Sequence, residues 1–309
     1  MTLHLGVKSD PIVARYSFDW LFDLMNGCGV HRLQMGSSFP VWFAADDWFR
    51  ALRRCAESKS IRISSLFSSF RELGFANEDP LLDDVARRGW QRAIHVASLV
   101  GADSFGSNAC LVLRDKPQTR EPGLRTFAEN MKSLLATARA AGLKALTVEP
   151  MSSVYELPST PEDVRTMMEE FDAFHSEHSG TTVPFHLCGD ISHGVADAEG
   201  TVIHDNWSLF EMQIPWMREF HFKNTDAIFN STFGFDPSER KRGIIDLPRL
   251  KRLIDDNAGR FPCAEVVGYL EIPGPKLGRE YADRHLERML VESLQALKAV
   301  FTEEGESTS

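Results

Sequence analysis

Four apolar runs in this chain end in side chains that bind hard cations. Val183-Pro184-Phe185-His186-Leu187-Cys188-Gly189 stops at Asp190, and Lys144-Ala145-Leu146-Thr147-Val148 stops at Glu149. Glu219-Phe220-His221-Phe222-Lys223 carries an imidazole, and Val266-Val267-Gly268-Tyr269-Leu270 stops at Glu271. A strand that ends in a lone carboxylate is poor core design, because an unpaired charge loses its hydration on burial unless it is paired or bound to a metal. Any one of these acids alone reads equally well as a strand-end residue meeting solvent. Together Glu149, Asp190, His221 and Glu271 read as four ligands of one divalent cation. Three carboxylates and one imidazole suit Mn²⁺, Mg²⁺ or Co²⁺ with open water positions, whereas a structural zinc site wants more sulfur or nitrogen.

Such an ion, chelated by adjacent carbonyl and hydroxyl oxygens of a sugar, acidifies the C–H between them. Two glutamates then take the proton from one face and return one to the other, with the metal holding an enediolate. Glu149 and Glu271 are the natural pair. Aldose–ketose isomerisation, epimerisation, elimination and decarboxylation beside a ketone all remain open to this apparatus.

Other residues fall near the same ends. His193 follows Asp190 by three positions and is placed to meet a substrate oxygen or a water. Lys223 follows His221 by two, so strand alternation puts both on one face. Lys8 and Gln34 lie at the first two tips, Arg71 and Glu72 beyond the third, and Asn108 at the fourth. The run Ser238-Glu239-Arg240-Lys241-Arg242 reads either as a solvated turn or as a grip on a phosphate, with Arg240 and Arg242 as its cations. His186 shares the parity of Asp190 but reads as a core histidine. Phe39, Trp42, Phe67, Phe70 and Phe233 are candidate pocket walls.

These residues need a frame that brings distant strand ends together. Strand and helix signals alternate along the chain, eight of each, with first strand Leu3 to Lys8 and last helix about Glu280 to Phe301. One helix is expected from Pro40 to Glu57, and another from Thr160, where Thr160-Pro161-Glu162-Asp163 supplies a cap, a first-turn proline and first-turn acids. Buried strands in strict alternation with helices argue a parallel sheet. Eight units in 309 residues suit a single closed (β/α)8 TIM barrel, whose strands all point their C-terminal ends at one mouth. An open doubly wound sheet is disfavoured, because Gly6-Val7-Lys8-Ser9-Asp10 is not a phosphate-binding glycine turn. The expected domain is residues 1–301, with 302–309 a flexible polar tail.

The formal charge of −10 disfavours nucleic acid and acidic membranes as partners. Five scattered cysteines without a CxxC pair read as reduced thiols. No signal segment is recognised at the N-terminus and no apolar run approaches the roughly 20 residues of a bilayer span, so a cytoplasmic protein is expected.

Thr147-Val148-Glu149-Pro150, Asp190-Ile191-Ser192-His193, His221-Phe222-Lys223 and Tyr269-Leu270-Glu271 together resemble the xylose-isomerase-like barrel superfamily, and within it the ketose 3-epimerases and sugar-phosphate isomerase/epimerases. The resemblance spans about residues 3 to 300. It implies that Glu149 and Glu271 are both ligands and the acid/base pair, that Asp190 and His221 are ligands, and that His193 binds substrate oxygens. The family's substrate arginine after the strand-seven histidine has no match at that offset, which leaves Lys223, or Arg240 and Arg242, to stand in. The expectation is therefore a metal-dependent epimerase or isomerase of a small ketose or ketose phosphate, a tetrulose phosphate included. The alternative is a metal-dependent lyase, a deglycosylase or decarboxylase, on a 3-oxo sugar. A non-catalytic sugar-binding protein and a repair endonuclease are weaker readings. The expected partner is a small sugar or sugar phosphate, and the resemblance allows a homo-oligomer.

Overall fold

The computed structural model describes residues 1–13, 15–36, 40–68, 74–75, 79–273 and 284–302. Eight parallel strands form the closed barrel: β1 (Thr2–Lys8), β2 (Arg32–Met35), β3 (Arg62–Phe67), β4 (Ser104–Ser107), β5 (Ala145–Val148), β6 (Phe185–Asp190), β7 (Met217–Phe222) and β8 (Glu265–Leu270). Each pairs with its neighbour in sequence, and β8 returns to β1 through Thr2↔Glu265 to Val7↔Leu270. Helices cover the outside of the barrel, as the alternation of signals predicts.

Side-chain caps set where several helices begin. Ser17 accepts from the Trp20 amide at 3.2 Å, Asp205 from the Ser208 amide at 3.0 Å, and Asp246 from the Arg249 amide at 2.7 Å. Each satisfies an amide that the first helical turn leaves unpaired. The cap foreseen at the start of helix Pro161–His178 is a reciprocal capping box between Thr160 and Asp163. The helix expected over Pro40 to Glu57 is instead two, Pro40–Phe43 and Asp46–Ser58. The break falls at Ala44 and Ala45, where Ala45 takes an extended conformation with ψ 152° and two acids open the next helix. β4 stops at Ser107, and Cys110–Leu111 then pairs antiparallel with Glu156–Leu157.

The main apolar core lies between barrel and helices. Phe185 of β6 packs against Phe171 at 4.2 Å and Phe127 at 6.0 Å between ring centroids, and Trp90 packs against Phe105 at 4.9 Å. Each such ring removed from water stabilises the fold by about 1.5–3 kcal/mol. Inside the barrel the chemistry changes. Glu219, almost wholly buried, accepts hydrogen bonds from Ser65 Oγ at 3.1 Å, Thr147 Oγ1 at 2.9 Å and Ser104 Oγ at 3.2 Å, while Tyr269 Oη and Ser64 Oγ meet at 2.8 Å. This polar layer joins β3 and β4 to β5, β7 and β8, which carry three of the candidate ligands at their ends. Among the described residues no helix is long and apolar enough to cross a membrane.

Candidate metal centre

Strand register decides which side chains meet. Asp190 ends β6 and is the register partner of His221 in β7, which in turn pairs with Tyr269 of β8. Glu271 follows β8 by one residue and its amide donates to Phe222 O at 3.0 Å. Glu149 follows β5 by one residue and its amide donates to Ser107 O at 3.1 Å. The four ends are thus held level by backbone pairing, and one ligand atom from each lies within 4.8 Å of all the others. Oxygens at about 2.0–2.6 Å from a hard cation lie on opposite sides of it at no more than twice that distance, so the cluster has the right span for one ion.

The hydrogen bonds agree with that use. His221 Nε2 donates to Gln34 Oε1 at 2.8 Å, which directs the other ring nitrogen, Nδ1, at the carboxylates. Nδ1 lies 2.9 Å from Glu149 Oε1, 2.9 Å from Glu271 Oε2 and 3.8 Å from Asp190 Oδ2. An amide that fixes a histidine tautomer through the ring nitrogen turned away from the ion is a recurrent feature of metal sites. Asp190 Oδ2 is buried and receives no aligned hydrogen bond, although Lys223 Nζ approaches it at 2.6 Å. The ion pair offsets the charge without satisfying the lone pairs, which is what an oxygen reserved for a ligand looks like. The donor set and the spacing fit a divalent cation.

Two lysines supply positive charge here. Lys8 Nζ lies 3.0 Å from Glu271 Oε2 and 3.2 Å from Asp10 Oδ2, and stands 4.6 Å over the ring of Phe67. Lys223 Nζ reaches Asp190 and lies 3.7 Å from Glu271 Oε1. Burial works to raise the Glu149 carboxyl, but the charge and hydrogen bond of His221 outweigh it and hold the group at about 2. Burial likewise opposes ionisation of Asp190 and Glu271; His193 and Lys223 hold the first, and Lys223 and Lys8 the second, well below the usual carboxylate range. The carboxylates are therefore ionised and able to ligate at neutral pH.

The remaining expected residues fall into two groups. His193 is buried, with Nδ1 donating to Pro150 O at 2.8 Å and Nε2 accepting from Lys223 Nζ at 3.1 Å. Asn108 Nδ2 donates to Glu149 Oε2 at 3.0 Å, so it touches a candidate ligand. Phe67 lies edge-on to His221 at 5.5 Å and walls the site. Arg240 and Arg242, by contrast, are exposed and do not line the cleft beside Ser192, His193 and Lys223; the Arg242 guanidinium covers the Phe233 ring at 4.3 Å. Trp42 packs against the core, half-buried. Phe39, Phe70, Arg71 and Glu72 lie outside the described residues.

Three participants were not singled out by the sequence reading. Asp10 reaches Lys8 from the loop after β1, and its Oδ1 sits where a side chain at Gly36 would begin, 1.5 Å from that Cβ position. Cys188 Sγ lies 3.5 Å from His221 Nε2, and Glu219 forms the interior layer. Strand parity was the available signal for Cys188 and Glu219, each two residues before a ligand. Nothing in the local sequence marks Asp10, whose position depends on a loop packing against a distant glycine.

A family model described as the xylose isomerase-like TIM barrel matches residues 33–300. The chain belongs to this family. Among solved structures, the xylose isomerase-like barrels similar to it include a xylose isomerase candidate from Rhodospirillum rubrum, 22% identical with a TM-score of 0.76, covering 96% of this chain and 99% of that one. D-psicose 3-epimerase from Clostridium cellulolyticum is 12% identical with a TM-score of 0.71, covering 96% and 99%. The 3-keto-D-glucoside 4-epimerase of E. coli is 14% identical with a TM-score of 0.66, covering 96% and 100%. At these identities the likeness is one of fold. A search of curated proteins gave no match.

Proposed function

We propose that the chain is a divalent-metal-dependent epimerase or isomerase that moves a proton beside the carbonyl of a keto sugar. The observation that carries this reading is the placement of Glu149 and Glu271. They come from β5 and β8, the strands that bracket β6 and β7, so they approach the Asp190–His221 pair from opposite sides. Mn²⁺, Mg²⁺ or Co²⁺ held by Glu149, Asp190, His221 and Glu271 would polarise the substrate carbonyl and stabilise the negative charge that develops on its oxygen. One glutamate carboxylate takes the proton from the carbon beside the carbonyl, and the other relays a proton from a water molecule to the opposite face.

The surrounding side chains serve the same step. His193 and Lys223, hydrogen-bonded to each other at the mouth, orient substrate hydroxyls, and the Lys223 ammonium adds positive charge near the developing oxyanion. Lys8 holds Glu271 in place from the other side, and Asn108 does the same for Glu149. Two of the similar folds belong to enzymes named for epimerising a ketose and a keto-glucoside, which share this chemistry. Arg240 and Arg242 lie off the cleft, whereas Arg114 and Lys223 line it. Elimination from the same proton-abstraction step is the second reading, favoured by the room beside the cluster for a leaving group.

The test is exchange of a sugar C–H with D₂O, followed by NMR on protein reconstituted with Mn²⁺. Exchange with the carbon skeleton retained, lost in Glu149→Gln and in Glu271→Gln, supports the proposal. Release of a substituent without exchange into recovered substrate supports elimination. Equal behaviour of wild type and both variants contradicts both.

A further inference from the structure

Glu219 lies on β7 two residues before His221 and on the same face, one layer deeper in the barrel. A buried carboxyl is a costly way to fill that interior, and apolar side chains of similar volume would fill it without the desolvation. Its hydrogen bonds lead back to the candidate metal centre.

Backbone pairing aims one of those bonds. The register between β2 and β3 shifts by one residue, from Leu33↔Ile63 to Gln34↔Ser65. Ser64 and Ser65 therefore both reach the interior, Ser64 to Tyr269 Oη and Ser65 to Glu219 and Gln34. Irregularities of this kind re-aim side chains beside functional sites. Gly106 of β4 makes room for the same layer, because a Cβ there would lie 2.3 Å from Thr147 Oγ1.

The direction of each hydrogen bond follows from the one before it. Glu219 Oε1 faces the hydroxyls of Ser65 at 3.1 Å and Thr147 at 2.9 Å, and it accepts from both. Ser65 has one hydroxyl proton, so what it offers Gln34 is a lone pair. Gln34 must then turn its amide nitrogen to Ser65 Oγ, at 3.4 Å. The same nitrogen lies 4.0 Å from Cys188 Sγ, a weak acceptor that favours the same orientation. Gln34 Oε1 is left to face His221, whose Nε2 donates to it at 2.8 Å. Nδ1 is the ring nitrogen that remains to ligate. Gln34, Ser65, Cys188, Glu219 and His221 are all buried, so bulk water does not reach these links to reverse them.

We infer that Glu219 and Ser65 are positioning residues for the metal centre: through Gln34 they fix which nitrogen of His221 faces the ion. The inference rests on the reading above that His221 is a ligand.

Two substitutions each remove one hydrogen bond from the same carboxyl oxygen. Ser65→Ala also cuts the link to Gln34, whereas Thr147→Val leaves that link whole. Exchange of the His221 Nε2–H with water, followed by ¹⁵N NMR on metal-free protein, reads the orientation of Gln34. Calorimetry reads Mn²⁺ affinity, and thermal unfolding verifies that both variants fold. Tm falls in both. Ser65→Ala alone speeds exchange of the ring proton and weakens Mn²⁺ binding by about tenfold, the lower end of the effect of losing a direct partner of a ligand. A Glu219 that only braces the barrel gives the two variants equal ring-proton exchange, or equal Mn²⁺ affinity beside a metal-binding wild type, and either result overturns the inference. The wild-type spectrum tests it without any variant, since a His221 Nε2 that carries no proton also overturns it. A wild type that binds no Mn²⁺, with ring-proton exchange still faster in Ser65→Ala alone, refutes the metal reading and leaves the positioning role standing.

Discussion

Asp190 and His221 are register partners across β6 and β7, and their nearest side-chain atoms, Oδ2 and Nδ1, lie 3.8 Å apart. That distance is too long for a hydrogen bond. The nearest charge to Asp190 is Lys223, on the same face of the chain two residues beyond His221. The Lys223 ammonium, 2.6 Å from Asp190 Oδ2, is thus the carboxylate's main counter-charge.

Lys223→Met removes the counter-charge of a buried carboxylate. Without metal the variant loses about 3 kcal/mol of stability, since breaking one side of a buried pair leaves the other uncompensated. A divalent cation restores that charge, so the gain in Tm on adding Mn²⁺ is larger for the variant than for wild type. Thermal unfolding with chelator and with Mn²⁺ measures both; an equal metal-dependent gain in the two proteins contradicts the assignment of Asp190 as a ligand.

Gln34→Leu leaves the four candidate ligands in place and removes the acceptor of the His221 Nε2–H, along with a longer bond to Ser65 Oγ. Loss of such a partner weakens metal binding by about 10–100-fold. A Mn²⁺ titration of the folded variant gives the number, and unchanged affinity means that Gln34 does not set the tautomer.

His186 supplies a pH dependence away from the cluster. Burial holds its imidazole down to about 4, with Arg218 adding to the effect, and its Nδ1 is buried without a partner. The unfolded histidine takes up a proton near 6.5 whereas the folded one resists until about 4. The unfolded chain binds more protons between those values, so stability is full above 6.5 and falls as pH drops through the window. The loss is about 2–3 kcal/mol, reduced because the ring is partly exposed. Urea unfolding of wild type and His186→Gln from pH 7.5 to 4.5 checks this: the variant has the shallower slope.

Asp163 anchors the capping box and accepts from the amides of Ser159 at 3.2 Å and Thr160 at 3.1 Å, with Arg120 pairing to the same carboxylate. Asp163→Ala costs about 1–2 kcal/mol in urea unfolding at pH 7. Burial raises this carboxyl, yet Arg120 and the backbone amides lower it further than burial raises it. Its contribution is therefore present above the unfolded carboxylate pKa and fades as pH falls through the lower folded value, and the wild-type advantage over the variant narrows below pH 4.

The barrel was legible because its signals are local: an apolar run, a turn, a cap and an amphipathic helix recur along the chain, and parallel closure follows from that alternation. Three of the candidate ligands, Glu149, Asp190 and Glu271, were legible because each closes a largely apolar strand, and His221 because it stands near the end of the strand between them. Gln34 and Lys8 showed only as polar residues at tips, since their work is defined by atoms on β7 and β8. Glu219 was hidden because three hydroxyls from β3, β4 and β5 make its burial tolerable, and no sequence window contains them together. Arg240 and Arg242 attracted notice as clustered charge, but a long segment after β7 carries them away from the cleft and onto Phe233.

The central claim is that Glu149, Asp190, His221 and Glu271 hold one divalent cation. Calorimetric titration of chelator-treated protein with Mn²⁺, alongside Asp190→Asn and a variant with all three carboxylates replaced by amides, tests it directly. The account predicts one site per chain in wild type, weakened by about a hundredfold or more in Asp190→Asn and absent in the triple variant. No binding to the folded wild type, or equal binding to the triple variant, contradicts it.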